Sequence, residues 1–309
     1  MIVIVCPGQG AQTPGMFTPW FELDSFKHSI ELQSQASGVD LVAHGTTSDA
    51  DTIRDTAIAQ PLIVASGVAA LAALLEGKSL AQSGVAGVAG HSVGEITAAV
   101  ASEIFTPESG IKFVTERGKA MAKSAALETT SMAAVLGGEQ EVVLARLAEL
   151  ELEPANFNGG GQIVAAGSAA GIAALQAEGP AGARVIPLQV AGAFHTRFMA
   201  PAVDSLAAYA SEIEVSNPSV SIWSNNAGRK VSSGKEFLDL LVNQVKSPVR
   251  WDLCMESLVA AGVTAILEVP PAGTLVGLAK RSMPGIELLS LKSPENLDAA
   301  RTLIQNHSN

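Results

Sequence analysis

The sequence predicts an α/β protein in which a large domain built on a parallel sheet is interrupted by a small split-βαβ domain. Three observations predict it. The 309 residues are 48% hydrophobic but only 4% aromatic, so the interior has to be assembled from Ala, Val, Leu and Ile. Several short apolar runs end at Pro or Gly, as strands buried on both faces do. Between residues 131 and 190 the rhythm becomes strand, helix, strand, strand, helix, strand. A chain of this length buries about three quarters of its unfolded surface, enough for one large core or two modest ones.

Residues 2–5 form the first expected strand, closed by Pro7 and Gly8. A helix is expected from Gln60-Pro61, where proline suits a first turn, through Leu75 to a stop at Gly77. Residues 85–89 read as a second buried strand, 94–102 as a helix, and Pro107 opens another helix to about Leu127. The small domain then runs MAAVLG, EQEVVLARLAE, PANFN, QIVAAG, GIAALQAEG and RVIPLQV, a ferredoxin-like order with a turn at the glycines 159–161. A helix at 199–212, a strand at 220–224 and a helix at 252–261 stopped by Gly262 follow. Strands at 264–269 and 287–291 and a frayed tail complete the chain. Residues 1–128 and 192–309 are thus assigned to the large domain and 129–191 to the small one.

A formal charge of -11 without a cluster of Lys and Arg argues against a nucleic-acid groove. Cys6 and Cys254 make no disulfide framework and lack the paired spacing of a zinc site, so neither a metal nor a cofactor is required. The opening MIVIVCPGQG has no basic residue ahead of its apolar run and reads as a strand rather than a signal peptide. With no run of about 18 apolar residues elsewhere, no membrane contact is expected and a reduced cytoplasm is the expected home.

The chemistry starts at Gly90-His91-Ser92-Val93-Gly94, a GxSxG elbow between an apolar strand and a helix. The glycines allow a sharp turn that lifts the Ser92 hydroxyl out of the sheet, and the helix start offers N–H groups to a developing oxyanion. A nucleophilic serine needs a base. His91 is too close in sequence to reach its neighbour's hydroxyl, His28 and His44 lie in polar segments, and His307 sits in the tail. His195, in VAGAFHTRFMAP, follows an apolar strand and precedes a helix, the strand-end position where open α/β sheets present functional residues. No acid between Ser92 and His195 stands out as a triad member, which leaves an amide or a backbone carbonyl as the orienter. Arg117, by itself, is an ordinary helix-surface charge, yet a guanidinium near Ser92 would bind a carboxylate through two parallel hydrogen bonds. GQGAQT at 8–13 lacks the third glycine of a dinucleotide fingerprint, and Gly77-Lys78-Ser79 lacks the upstream glycine of a phosphate loop.

Taken together, PGQGAQ at 7–12, GHSVGE at 90–95, RGKAM at 117–121, NFNGGGQIVAAG at 156–167, AFHTRFM at 193–199 and NQVKSPVRW at 243–251 resemble the malonyl-CoA:acyl carrier protein transacylases of fatty-acid and polyketide synthesis. The resemblance spans nearly the whole chain. It implies an α/β-hydrolase-like large domain, an inserted ferredoxin-like small domain and a cleft between them. It implies Ser92 as acyl-accepting nucleophile, His195 as base, the Gln244 backbone carbonyl as its orienter, and the N–H groups of Gln9 and Val93 as oxyanion hole. Arg117 would hold the malonyl carboxylate, Phe194 would disfavour an α-methyl branch, and Asn156 and Asn158 would join the substrate-binding set. The partners implied are malonyl-CoA and the phosphopantetheine arm of acyl carrier protein. One departure is visible: Pro270-Pro271 stands where the family has a glycine before a single proline, which bears on loop shape.

Two other functions fit parts of the pattern. A serine thioesterase or esterase shares GxSxG and would release the acid to water, and a catalytically silent module would only bind carrier protein. Carrier proteins are usually acidic, as this chain is, so docking needs a local basic patch, for which Lys112, Lys119, Lys123, Lys246 and Arg250 are the sequence candidates.

Overall fold

In the computed structural model, which describes residues 1–308, the strands follow one another as Ile2–Cys6 (β1), Gly87–Gly90 (β2), Thr130–Gly137 (β3), Glu153–Gly159 (β4), Gln162–Ser168 (β5) and Ala183–Leu188 (β6). Ser221–Trp223 (β7), Lys230–Val231 (β8), Val249–Arg250 (β9), Ala265–Glu268 (β10) and Glu287–Ser290 (β11) complete the series. They form two sheets in a mixed α/β fold. The larger has the order β11-β10-β1-β2-β7-β8, parallel except for the last strand. The smaller has the order β6-β3-β5-β4-β9, antiparallel except where β9 joins β4.

β1 and β2 carry no charged side chain and are buried from end to end, which is why an unbroken apolar run marked each of them. Because β1, β2, β7 and β10 run parallel, their carboxyl ends open on one edge of the sheet. Gln9 follows β1, Ser92 follows β2, and Asn225 follows β7 on that edge. The small sheet buries one face against helices Gln140–Glu149 and Ala169–Ala177 through Val143, Leu147, Ile172 and Leu175. On its other face Met132, Ala155 and Val164 join the main core.

The helix expected from Pro61 begins five residues earlier, at Thr56, because the Asp55 side chain accepts from the Ala57 N–H and caps it there. Pro61 therefore lies inside the helix and removes one intrahelical bond, a cost offset by burial of nearly every side chain from Ala59 to Leu74. Thr56–Leu75 is also the one described helix with the length and hydropathy of a membrane span, and 83% of its most apolar window is buried inside the fold. The helices Asp24–Ser37, Thr274–Ser282 and Leu297–His307 were not foreseen, since each hangs on only three or four buried positions in a polar segment. His307, expected in a frayed tail, ends the last helix and bonds Thr264 Oγ1 at 2.7 Å and Glu287 at 2.9 Å.

The two glycines of the elbow are there for space. A Cβ on Gly90 would stand 2.1 Å from the Gly94 carbonyl carbon, and one on Gly94 would stand 2.1 Å from the Cys6 carbonyl oxygen. Both obstacles are backbone, so nothing small can step aside. Gly94→Ala should lower stability by about 1–3 kcal/mol, the usual cost of overpacking a dense interior, and a denaturant midpoint at unchanged m-value measures it.

Candidate active site

Ser92 sits between β2 and the helix Gly94–Ala101 with φ of 53°, a left-handed conformation that an L-residue adopts only when its surroundings enforce it. The enforcement is visible. Asn225 Oδ1 accepts from the Ser92 N–H at 2.8 Å, and Asn225 Nδ2 donates to the Gly90 carbonyl at 2.7 Å, so one side chain grips both ends of the turn. His195 also has positive φ, 62°. Its N–H donates to the Val245 carbonyl at 3.0 Å, and the preceding Ala193 N–H donates to Thr130 Oγ1 at 2.9 Å.

The structure brings Ser92 and His195 together, with Oγ 2.6 Å from Nε2. On the other side of the ring Nδ1 lies 2.8 Å from the Gln244 carbonyl oxygen. A carbonyl can only accept, so Nδ1 carries the proton and Nε2 is left as the acceptor for the Ser92 hydroxyl. Burial first, and then the positive charge of Arg117, hold His195 down to about 3, so the ring is neutral and able to take a proton. Among the described residues no acid completes a triad. The helix Gly234–Gln244 ends at this point and supplies a terminal carbonyl instead, which also accepts from the Ser247 N–H at 3.1 Å.

Gln244 does more with its side chain. Its Oε1 accepts from Arg117 Nη2 at 2.8 Å, while its Nε2 donates to the Ser92 carbonyl at 3.2 Å and, in a very short contact, to Glu95 Oε2. Arg117 is fully buried rather than a surface charge, and its Nη1 donates to Gln60 Oε1 at 2.7 Å. Burial pulls its guanidinium down to about 10, with Glu95 acting in the opposite sense. Glu95, 1% exposed, accepts from the Asn225 N–H at 2.6 Å. Burial pushes its carboxyl up to about 8 against the opposing pull of the Asn225 N–H, Ser224, Arg117 and Gln244.

A cleft of about 340 Å³ opens over Ser92 and His195, walled by Gln9, Gln60, Met121, Phe194 and Asn156, with Arg281 at its side. Val93 and Asn158 line it too, and Arg117 lies behind its surface. Among the described residues, no group accepts from the N–H of Gln9 or of Val93. Asn158 is engaged: its Oδ1 lies 2.9 Å from His91 Nε2, and the His91 ring packs at a steep angle to Trp251. Asn225 and Glu95 had not been singled out. Glu95 stood inside the quoted GHSVGE, and Asn225 follows a short strand in the middle of a polar triplet, SNN, which is the signal that could have found it.

Comparison with known proteins identifies the family. Residues 3–293 match the acyl transferase domain family. The chain is 47% identical over 303 residues, 98% of its length and 100% of the relative's, to the malonyl CoA-acyl carrier protein transacylase of Mycobacterium tuberculosis. It is 32% identical over 311 residues to the Escherichia coli K12 protein of the same name, covering 97% of this chain and 98% of that one. The crystal structure of MCAT from Mycobacterium tuberculosis superimposes with a TM-score of 0.91 at 46% identity, covering 97% of this chain and 99% of that one. A structure of a type II PKS acyl-carrier protein in complex with its malonyl-transacylase gives 0.89 at 28% identity, covering 98% and 99%. The elbow, the carbonyl-held histidine and these likenesses place the chain in the acyl transferase domain family, among the malonyl CoA-acyl carrier protein transacylases.

Proposed function

We propose that the chain transfers a malonyl group from malonyl-CoA to the phosphopantetheine thiol of acyl carrier protein through a malonyl ester on Ser92. The observation that carries this reading is the 2.6 Å contact between Ser92 and a neutral His195 with a buried guanidinium behind it, linked to both through Gln244. As Ser92 Oγ attacks the thioester carbonyl, its proton passes to His195 Nε2. The oxyanion is received by the free N–H groups of Gln9 and Val93, each worth about 3 kcal/mol by analogy with other oxyanion holes. The tetrahedral intermediate collapses, the C–S bond breaks, and the CoA sulfur leaves with the proton from His195. The carrier thiol then repeats the sequence in reverse, giving its proton to His195 and taking the acyl group from Ser92.

Arg117 is the anchor for the malonyl carboxylate. Its two contacts are neutral glutamine oxygens, so the guanidinium keeps a charge to offer and a planar edge for two parallel bonds. An acyl chain held this way is presented in one pose to an incoming thiol, which favours transfer over hydrolysis. Phe194, 6% exposed beside His195, fills the space an α-methyl branch would need. Asn156 contacts the bound acyl thioester from the wall of the cleft, and Asn158 acts by holding His91. Of the docking candidates, Lys112, Lys119 and Arg250 are each paired with an acid; Arg281, which was not among them, stands beside the cleft.

The fold reading follows the same lines. A strand-turn-helix elbow on a parallel sheet supports an α/β-hydrolase-like large domain over 1–128 and 192–309. The order β6-β3-β5-β4 with two helices on one face supports a ferredoxin-like small domain over 129–191, to which β9 adds a strand from outside that range.

Three measurements test the reading. On exposure to malonyl-CoA, the intact mass of the protein should rise by one malonyl group and that of Ser92→Ala should not; rapid release of malonate without a carrier would instead mark a hydrolase. Arg117→Ala should slow malonyl transfer about 10- to 100-fold, the worth of a hydrogen bond to a charged group, and acetyl transfer much less. Equal losses would refute the carboxylate role. The acid limb of acetyl transfer should lie well below 6.5, toward the 3 at which His195 gains a proton. Because that value is depressed on folding, His195 contributes stability above pH 6.5 that is lost as pH falls toward 3.

A further inference from the structure

Arg117 is donor-only, so the Gln244 oxygen must face it and the Gln244 nitrogen must face away. The nitrogen meets Glu95 Oε2, and Glu95 Oε1 in turn accepts from the Asn225 N–H. The hydrogen bonds therefore run in one direction, Arg117 to Gln244 to Glu95. Among the described residues no acid touches the guanidinium, and Glu95, which acts on it through space, is kept one amide away. Glu95 does not border the cleft over Ser92. It borders a separate cavity of about 330 Å³ on the far side of the elbow, with Asn225, Gln244 and Arg250.

We propose that Glu95 is a positioning residue for the transfer: by fixing the orientation of the Gln244 amide it holds Arg117 from behind while leaving the guanidinium charge for the acyl carboxylate. This rests on the reading of Arg117 as carboxylate anchor and Ser92 as acceptor. An apolar residue would fill the same buried space without the cost of desolvating a carboxyl. What it could not do is accept from Gln244 and Asn225 at once. An amide at 95 could satisfy only one of those donors, and a Gln244 turned to suit it would point its nitrogen at Arg117.

The test measures the rate of Ser92 acylation by intact mass at several concentrations of malonyl-CoA and acetyl-CoA, for wild type, Glu95→Gln, and the double variant Glu95→Gln with Gln244→Glu. Glu95→Gln should weaken malonyl acylation about 10- to 100-fold, mainly in KM, and acetyl acylation far less. In the double variant the carboxylate at 244 accepts from both Arg117 and the amide at 95, so the chain closes again. Acetyl acylation should then match or exceed that of the single variant, while malonyl acylation stays slow because an acid now touches the guanidinium. Wild-type kinetics for Glu95→Gln, or equal losses for both acyl groups, would overturn the proposal. If Glu95→Gln does not fold, Glu95→Met decides alone, because it removes the acceptor of the Gln244 nitrogen without placing an acid on the guanidinium: a collapsed malonyl-to-acetyl ratio supports the proposal and an unchanged ratio overturns it. Absence of a malonyl adduct on wild type would defeat the underlying reading instead, and Glu95 with it.

Discussion

The site depends on one hydrogen bond, from His195 Nδ1 to the carbonyl of Gln244. In a serine hydrolase an acid would hold the ring and stabilise its positive charge; here a backbone oxygen holds it and cannot be protonated. The tautomer is set as firmly as a carboxylate would set it, because a carbonyl only accepts. The oxygen is one of the last carbonyls of the helix Gly234–Gln244, shared between His195 and the Ser247 N–H, with the small negative potential of a helix terminus behind it. Placing His195, the proposed base, is therefore a matter of placing that helix. Ser233 caps its start by accepting from the Glu236 N–H, and Phe237, Leu238, Leu241 and Val242 bury one side of it.

Ser92, the proposed nucleophile, is held by the opposite kind of device. Its strand is short, apolar and central, and the turn after it is squeezed between the Cys6 carbonyl and the elbow's own backbone. Ser92 and His195 both occupy left-handed conformations, each locked by bonds to distant segments. Such conformations cost on the order of 1–3 kcal/mol apiece and persist only where neighbours over-determine them. A parallel sheet makes this workable, since loops after neighbouring strands meet at one edge and can brace each other.

Around these two residues lies an interior more polar than a core of this composition needs. Arg117, Glu95, Gln60, Gln244 and Asn225 are all at most 5% exposed. Hydrogen bonds link them in the order Gln60, Arg117, Gln244, Glu95 and Asn225, and the Arg117 Nε alone among them is left without a partner. A polar network this closely bonded in a low dielectric is rigid, and rigidity suits the proposed transfer, in which one acyl group is presented to two thiols in turn.

Much of this was legible along the chain. Apolar runs ended by Pro or Gly marked β1 and β2, the six-part rhythm marked the small sheet, and GHSVG marked the elbow, because each depends on contacts between near neighbours in sequence. His195 was reached from its strand-end setting and by setting aside the other histidines. The start of the helix at Thr56 was missed because the Asp55 cap outweighed the proline signal. Asn225, 133 residues from the serine whose N–H it binds, and Glu95, 149 residues from the glutamine it orients, carry no local mark of their partners. Local chemistry thus determined which residues could turn, cap or attack. Which charges are buried, and what they face, was decided only when distant strands met at one edge, since burial and polarity belong to the packed surroundings and not to the residue.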